Sequence, residues 1–217
     1  MDVPYRKHVF INCPFDSQYR KLFEAIVFAV FDCGFEPRCS LEIDDGGEIR
    51  IQRIFDIIAE CQFGIHDISK TELDELTNLP RFNMPLELGI FLGAKRYGQD
   101  EQKKKSCLIL DRDRYRYQKF ISDLSGQDIR AHDGDPKSLI VIIRNWLRST
   151  RPAEGLPGGE AIARRYEVFR EEIPEMCTQL QMSENELTFS DYAWLISEWQ
   201  TNPANKMALA RAALLES

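Results

Sequence analysis

Apolar residues recur along this chain with two periods, and the periods alternate. His8-Val9-Phe10-Ile11-Asn12 is a short run of β-forming residues, closed by Cys13-Pro14-Phe15-Asp16, and it predicts a strand. Leu22, Phe23, Ile26, Val27, Val30 and Phe31 then repeat at helical spacing, with Asp16 as a candidate cap and Gly34 as the stop. Residues 35–40 predict a second strand and 42–48 an acidic loop with two glycines. A helix over 49–61 follows, apolar at Ile51, Ile54, Phe55, Ile57 and Ile58 and polar near its start at Arg50 and Arg53. A third strand over 63–68 leads, through a loop of about a dozen residues, to a turn and a helix reaching about Arg96. Cys107-Leu108-Ile109-Leu110-Asp111 is an apolar strand of the kind buried in a parallel sheet. Further along, the pattern predicts a helix over 114–124, a short edge strand over 128–132 and an amphipathic helix over 136–148.

Strand and helix in repeated alternation predict an α/β fold: a three-layer, flavodoxin-like domain with a central parallel sheet and right-handed crossovers, spanning residues 1–150. In such open sheets ligands bind beyond the carboxyl ends of the strands, near the switch in strand order. That rule selects Asn12 to Asp16, Ser40 to Gly47, Asp67 to Ser69 and the turn before Glu87 as one rim. The breaker-rich stretch 151–159 reads as a linker. Beyond it, 161–180, 184–200 and 203–215 predict three helices of a small C-terminal module, the second behind a capping box at Ser183-Glu184-Asn185-Glu186. Such a module packs on the first domain, dimerises or engages a protein partner, with Trp194 and Trp199 expected in its core.

Charge and composition narrow the partners. A net charge of −7, with basic runs at 103–105 and 112–116 short and interrupted, predicts no nucleic-acid surface. No stretch has the roughly 18 apolar residues of a membrane span and the start of the chain has no signal-peptide core, so a cytoplasmic protein is expected. Cys13, Cys33, Cys39, Cys61, Cys107 and Cys177 are scattered without a C-x-x-C pair, which predicts free thiols and no metal. Cys13 at a strand end is a candidate nucleophile only if His8 or His66 serves as its base; His66 otherwise reads as a sheet residue.

Phosphate-loop, dinucleotide-fingerprint, zinc-protease and nucleophile-elbow motifs are absent from the sequence. What stands out is Glu87, a carboxylate set among Leu86, Leu88, Ile90, Phe91 and Leu92 near the start of its helix. The helix dipole favours a negative side chain in a first turn, and that alone would account for it. Asp67 and Ser69 at the end of the third strand, Asn83, and the loop around Asp44 are expected at the same rim. For each a plain role exists: Asp67 as a loop cap, Asn83 as the N-cap of the Glu87 helix, Arg81 as a surface charge, Asp44 and Asp45 as turn formers. One carboxylate with hydroxyl and amide neighbours also suits cleavage of an N-glycosidic bond, whose oxocarbenium-like transition state gains from a nearby negative charge.

The stretch Arg81-Phe82-Asn83-Met84-Pro85-Leu86-Glu87-Leu88-Gly89 and the strand after it resemble the R-x-N-v-x-x-E-L-G region of bacterial TIR-like domains, in particular those of antiphage-defence effectors. A similar helix-start glutamate occurs in the related nucleoside 2-deoxyribosyltransferase-like fold. Val9 to Asn12 resembles the first TIR strand, and Asp67-Ile68-Ser69 the acidic strand end common to both groups; Cys13-Pro14-Phe15 looks more deoxyribosyltransferase-like. The resemblance covers about residues 8–112 and implies that Glu87 is the catalytic glutamate, assisted by Asp67. It further implies that Arg81 and Asn83 shape its loop, and that NAD is consumed as a substrate, with no separate cofactor, once a homo-oligomer assembles. Asn12, Cys13, Pro14, Phe15, Asp44, Ser69, Arg81 and Asn83 are the expected substrate-binding residues. Two alternatives stand beside NAD cleavage: an N-glycosidase or transferase acting on free nucleosides or nucleotides, and a non-catalytic nucleotide-binding module.

Overall fold

Among the described residues the chain forms five strands and six α-helices: β1 (His8–Asn12), α1 (Arg20–Asp32), β2 (Glu36–Arg38), α2 (Arg50–Glu60), β3 (Phe63–Asp67), α3 (Asn83–Tyr97), β4 (Ser106–Asp111), β5 (Ile129–Ala131), α4 (Pro136–Thr150), α5 (Gly159–Gln179) and α6 (Phe189–Thr201). This computed structural model describes residues 5–42, 45–73, 78–150 and 155–202. Asp44, residues 151–154 of the expected linker and the expected helix over 203–215 lie outside the described residues.

All neighbouring strands are parallel, in the order β2-β1-β3-β4-β5. This is the flavodoxin-like order, and its switch point lies between β1 and β3. The pleat sends alternate residues to opposite faces. Val9, Ile11, Phe63, Ile65, Leu108 and Leu110 join the core formed with α1 and α4. Phe10 instead packs with Ile54, Ile57 and Ile58 of α2 and Phe91 of α3. Pro37 of β2 pairs with Val9 at the sheet edge, the place where a missing amide is tolerated.

α5 and α6 pack on the outside of α1 and α4, so the tail adds a further layer that shares the main core. α1 is the reason this works. Ala25 to Val30 are six consecutive residues with no exposed surface, covered by the sheet on one side and by α5 and α6 on the other. Phe28 stacks on Phe169 at 5.4 Å and meets Trp199 at 5.9 Å, while Arg165 pairs with Asp32 and the Tyr166 hydroxyl donates to the Lys21 carbonyl. Trp199 is buried, as expected, whereas Trp194 is half exposed.

Three elements differ from the sequence expectation. The span 114–124 is not a helix but two 3-10 turns, Arg116–Lys119 and Ser122–Leu124. Tyr115 sits in the left-handed region at φ 61°, and the non-helical backbone of Phe120 and Ile121 separates the turns, which lets Tyr117 and Leu124 close the core beside Leu88 and Ile109. The Ser183/Glu186 capping box closes a separate 3-10 turn, and α6 starts only at Phe189 behind a second box of Thr188 and Asp191. Asn83 is not the cap of α3; it is the first helical residue, exposed and making no capping hydrogen bond, with Phe82 before it.

All six cysteines are unpaired. Among the described residues no helix is long and apolar enough to cross a membrane. Buried Lys105 donates to the carbonyl oxygens of Ile58 (2.5 Å) and Cys61, capping the C-terminus of α2 with a cation where the dipole favours one. Gly64 sits tight against two buried rings: an added Cβ would lie 2.7 Å from His66 Nε2 and 2.8 Å from Phe91 Cε2. Gly64→Ala is therefore expected to destabilise the fold by about 1–3 kcal/mol, measurable as a lowered urea midpoint, because two buried rings must shift together.

Candidate functional site

The rim at the carboxyl ends of β1 and β3 carries two buried polar centres, one on each face of the sheet. Asp67, the last residue of β3, shares the pleat parity of Phe63 and Ile65 and so faces the α1/α4 side. There its Oδ1 accepts the Ser69 backbone N–H at 2.8 Å, and its Oδ2 accepts the Tyr19 hydroxyl and lies 3.0 Å from His132 Nε2. The Gly134 N–H donates to His132 Nδ1 at 3.0 Å, which leaves Nε2 as the ring nitrogen beside Asp67. Burial alone would raise the Asp67 pKa, but the contacts from His132, Ser69 and Tyr19 outweigh it and hold the carboxyl below its usual range. Asp67 is thus an anionic hub that ties the ends of β3 and β5 to the entry of α1.

On the opposite face Asn12 does the corresponding structural work. Its Nδ2 donates to the Met84 carbonyl at 2.8 Å and to His66 Nδ1 at 3.1 Å, fixing the first turn of α3 against β1. Burial pushes the His66 pKa down to about 3, so the ring is a neutral sheet residue, edge-on to Phe91 at 4.9 Å.

Glu87 lies on the core stripe of α3. Met84, Glu87, Leu88 and Phe91 are its buried residues, at the i, i+3, i+4, i+7 spacing of one helix face, while Phe82 and Leu86 are left exposed. A carboxylate therefore occupies an apolar position. The helix dipole does not account for it, because Glu87 is in the second turn and the dipole effect falls off within the first. Glu87 is 6 % exposed and accepts no hydrogen bond among the described residues; burial raises its pKa to about 7, with Arg50 pulling the other way. Burial, followed by the fields of Asp67, Cys39 and Glu87, pushes the Cys13 thiol far up, so Cys13 is a neutral thiol of the core beside α1 and α4. It has no base: His66 is bonded to Asn12, and His8, at the start of β1, is bonded to the Glu60 carbonyl.

Two clefts open on this rim, and Asp16 lines both. The first, about 700 Å³, lies among Phe15, Arg20 and Phe23, the Ser40 and Arg50 side of β2 and α2, and the segment Leu187 to Ser190. The second, about 550 Å³, is lined by Tyr19, Ser69, Lys70, Arg81, Arg112 and His132. Glu87 lines neither; the group that links it to the first cleft is Arg50, which donates to Ser40 Oγ at 3.0 Å.

The expected site residues thus divide. Phe15 reaches the first cleft, Ser69 and Arg81 the second, while Asn12, Cys13 and Pro14 are buried beneath the rim and Asn83 faces solvent. Asp67 faces the α1/α4 side while α3 brings Glu87 from the other, so the two do not form one carboxylate pair. Sequence reasoning misses Tyr19, His132, Arg50 and the segment before α6. His132 follows β5 as Asp67 ends β3, so the strand-end rule applied to the edge strand would have found it. Fold and rim together define a flavodoxin-like α/β protein with a buried, unpaired carboxylate beside its switch point. No protein-family model matches the chain, no curated protein matches its sequence, and no solved structure matches it.

Proposed function

We propose that this protein is a TIR-like N-glycosidase that cleaves the nicotinamide bond of NAD, releasing ADP-ribose or its cyclised form, in the manner of an antiphage-defence effector. The observation that carries the reading is the Glu87 carboxyl, held on an apolar helix face without a hydrogen bond next to a cleft of nucleotide size. A charge so placed destabilises the fold unless something uses it, and strongly perturbed acids cluster at functional sites. Ionised Glu87 favours a cation, and the nicotinamide ring of NAD is one. As the bond from C1′ to the ring nitrogen breaks, its electron pair neutralises the ring, positive charge moves to the ribose, and the carboxylate stabilises it. Water then adds to C1′ and loses a proton. In the resting arrangement Arg50, not Glu87, faces the cleft, which fits the family trait of activation by assembly.

Purified full-length protein incubated with NAD at several concentrations, with nicotinamide followed by chromatography, is expected to show turnover. Glu87→Gln is expected to lower that turnover by at least about 100-fold. Wild-type turnover that survives the substitution would falsify the assignment.

The pKa near 7 favours one second reading, cleavage of free nucleosides, since a protonated Glu87 can donate to a departing neutral base. The two part in their pH profiles: NAD cleavage rises as Glu87 ionises through about pH 7, whereas acid-assisted nucleoside cleavage falls.

A further inference from the structure

The first cleft is built from two kinds of surface. Phe15 meets Phe23 edge to face at 5.2 Å, and Phe23 continues to Phe189 at 6.1 Å with planes 40° apart. Three rings, from the end of β1, from α1 and from the start of α6, therefore form one aromatic step, and all three line the cleft. The same cleft holds guanidinium groups in different states of commitment. Arg20 is paired with Glu24 at 2.7 Å and Arg53 with Glu48 at 3.0 Å. Arg50 gives one hydrogen bond, to the Ser40 hydroxyl, and among the described residues it forms no ion pair. In the second cleft, by contrast, Lys70 is paired with Asp16 and Arg112 with Glu72.

An aromatic step beside a guanidinium that forms no ion pair is the chemistry that takes a nucleoside phosphate, with the base on the rings and a phosphate on the planar fork of the arginine. A volume of about 700 Å³ suits such a ligand. We propose that the first cleft is a nucleotide site in which Arg50 binds phosphate and the start of α6, through Phe189 and Ser190, forms the wall that holds the base. The C-terminal helices are then part of the ligand site, and phosphate is what separates a substrate from a nucleoside. This deepens the NAD-cleaving reading and rests on it for the reaction, though not for binding.

Calorimetric titration of the full-length protein with AMP, ADP-ribose and adenosine tests it. AMP and ADP-ribose are expected to bind at least about 10-fold more tightly than adenosine. Arg50→Gln should bring AMP to the affinity of adenosine while leaving adenosine unchanged. Ser190 is exposed at the second position of α6, clear of the Thr188 cap, so Ser190→Trp should fill the wall without disturbing the core and weaken AMP and adenosine alike, at an unchanged melting temperature. Equal affinities for AMP and adenosine in the wild type, no binding of either, or AMP binding indifferent to both substitutions overturns the proposal. The outcomes also separate it from the reaction. Binding in the expected pattern without nicotinamide release removes only the NAD-cleaving reading; NAD turnover whose KM ignores both substitutions removes only this one.

Discussion

Asp67→Ala is expected to destabilise the protein by about 3–5 kcal/mol, the largest effect of any single rim substitution. Asp67 has no exposed surface, and its removal leaves the Tyr19 hydroxyl and the Ser69 N–H without their acceptor and takes the carboxylate away from the buried His132 Nε2. Each orphaned donor keeps its desolvation penalty, which is why the loss exceeds that of an exposed ion pair. Tyr19→Phe, which removes one donor and leaves the carboxylate two contacts, should cost only about 1–2 kcal/mol. The pH dependence has a definite sign. The folded pKa of Asp67 lies below its unfolded value, so the protein binds fewer protons at this site when folded, and the stabilisation is present above the unfolded pKa and fades as pH falls through the folded one. Urea unfolding of wild type and variant at neutral pH and again in acid should show the gap narrowing on acidification. A gap below about 1 kcal/mol at neutral pH would remove Asp67 from its place as the hub of the rim.

The period-2 and period-3.6 patterns located β1, β3, β4 and α4 to within a residue or two, because in these segments local preference and burial agree. They failed where burial is decided by distant parts of the chain. Residues 114–124 have helical spacing, yet the guanidinium of Arg116 is drawn to Asp111 and to the backbone of Ile68 and Ser69, and that tether bends the segment into two turns. Six apolar residues in succession at Ala25 to Val30 are more than one helix face requires, and in that excess the second, outer contact with α5 and α6 was visible. For the site, the strand-end rule brought Asp67 and Glu87 to one rim but says nothing of faces. Only the register of Val9 with Phe63 shows that Asp67 points toward α1 while α3 brings Glu87 from the other side. The wall at 187–190 approaches Phe23 across more than 160 residues, a contact that no local pattern encodes.

Glu87→Gln is expected to act in opposite directions on activity and on stability. A folded-state pKa near 7, against an ordinary value of 4.5, means that the folded protein binds more protons than the unfolded chain between those limits. Stability at this site is therefore complete below about pH 4.5 and is lost as pH rises through 7, by up to about 3 kcal/mol before allowance for solvent reaching the partly open Arg50 side. Glutamine is isosteric and has no charge to desolvate, so the variant should match the wild type near pH 4.5 and exceed it near pH 8. Unfolding curves of the two proteins across that range measure the difference directly. A surface glutamate or a carboxylate held by an unseen hydrogen bond gives the reverse or nothing: Gln would be neutral at every pH, or destabilising where the acid is ionised. Under the proposed NAD-cleaving reading, this opposition of stability and turnover is the expected mark of a residue strained in the service of a reaction. Glu87 is then also a residue whose strain a cationic ring relieves, so NAD binding should lower the Glu87 pKa and release protons into the medium near pH 7, a signal absent from Glu87→Gln.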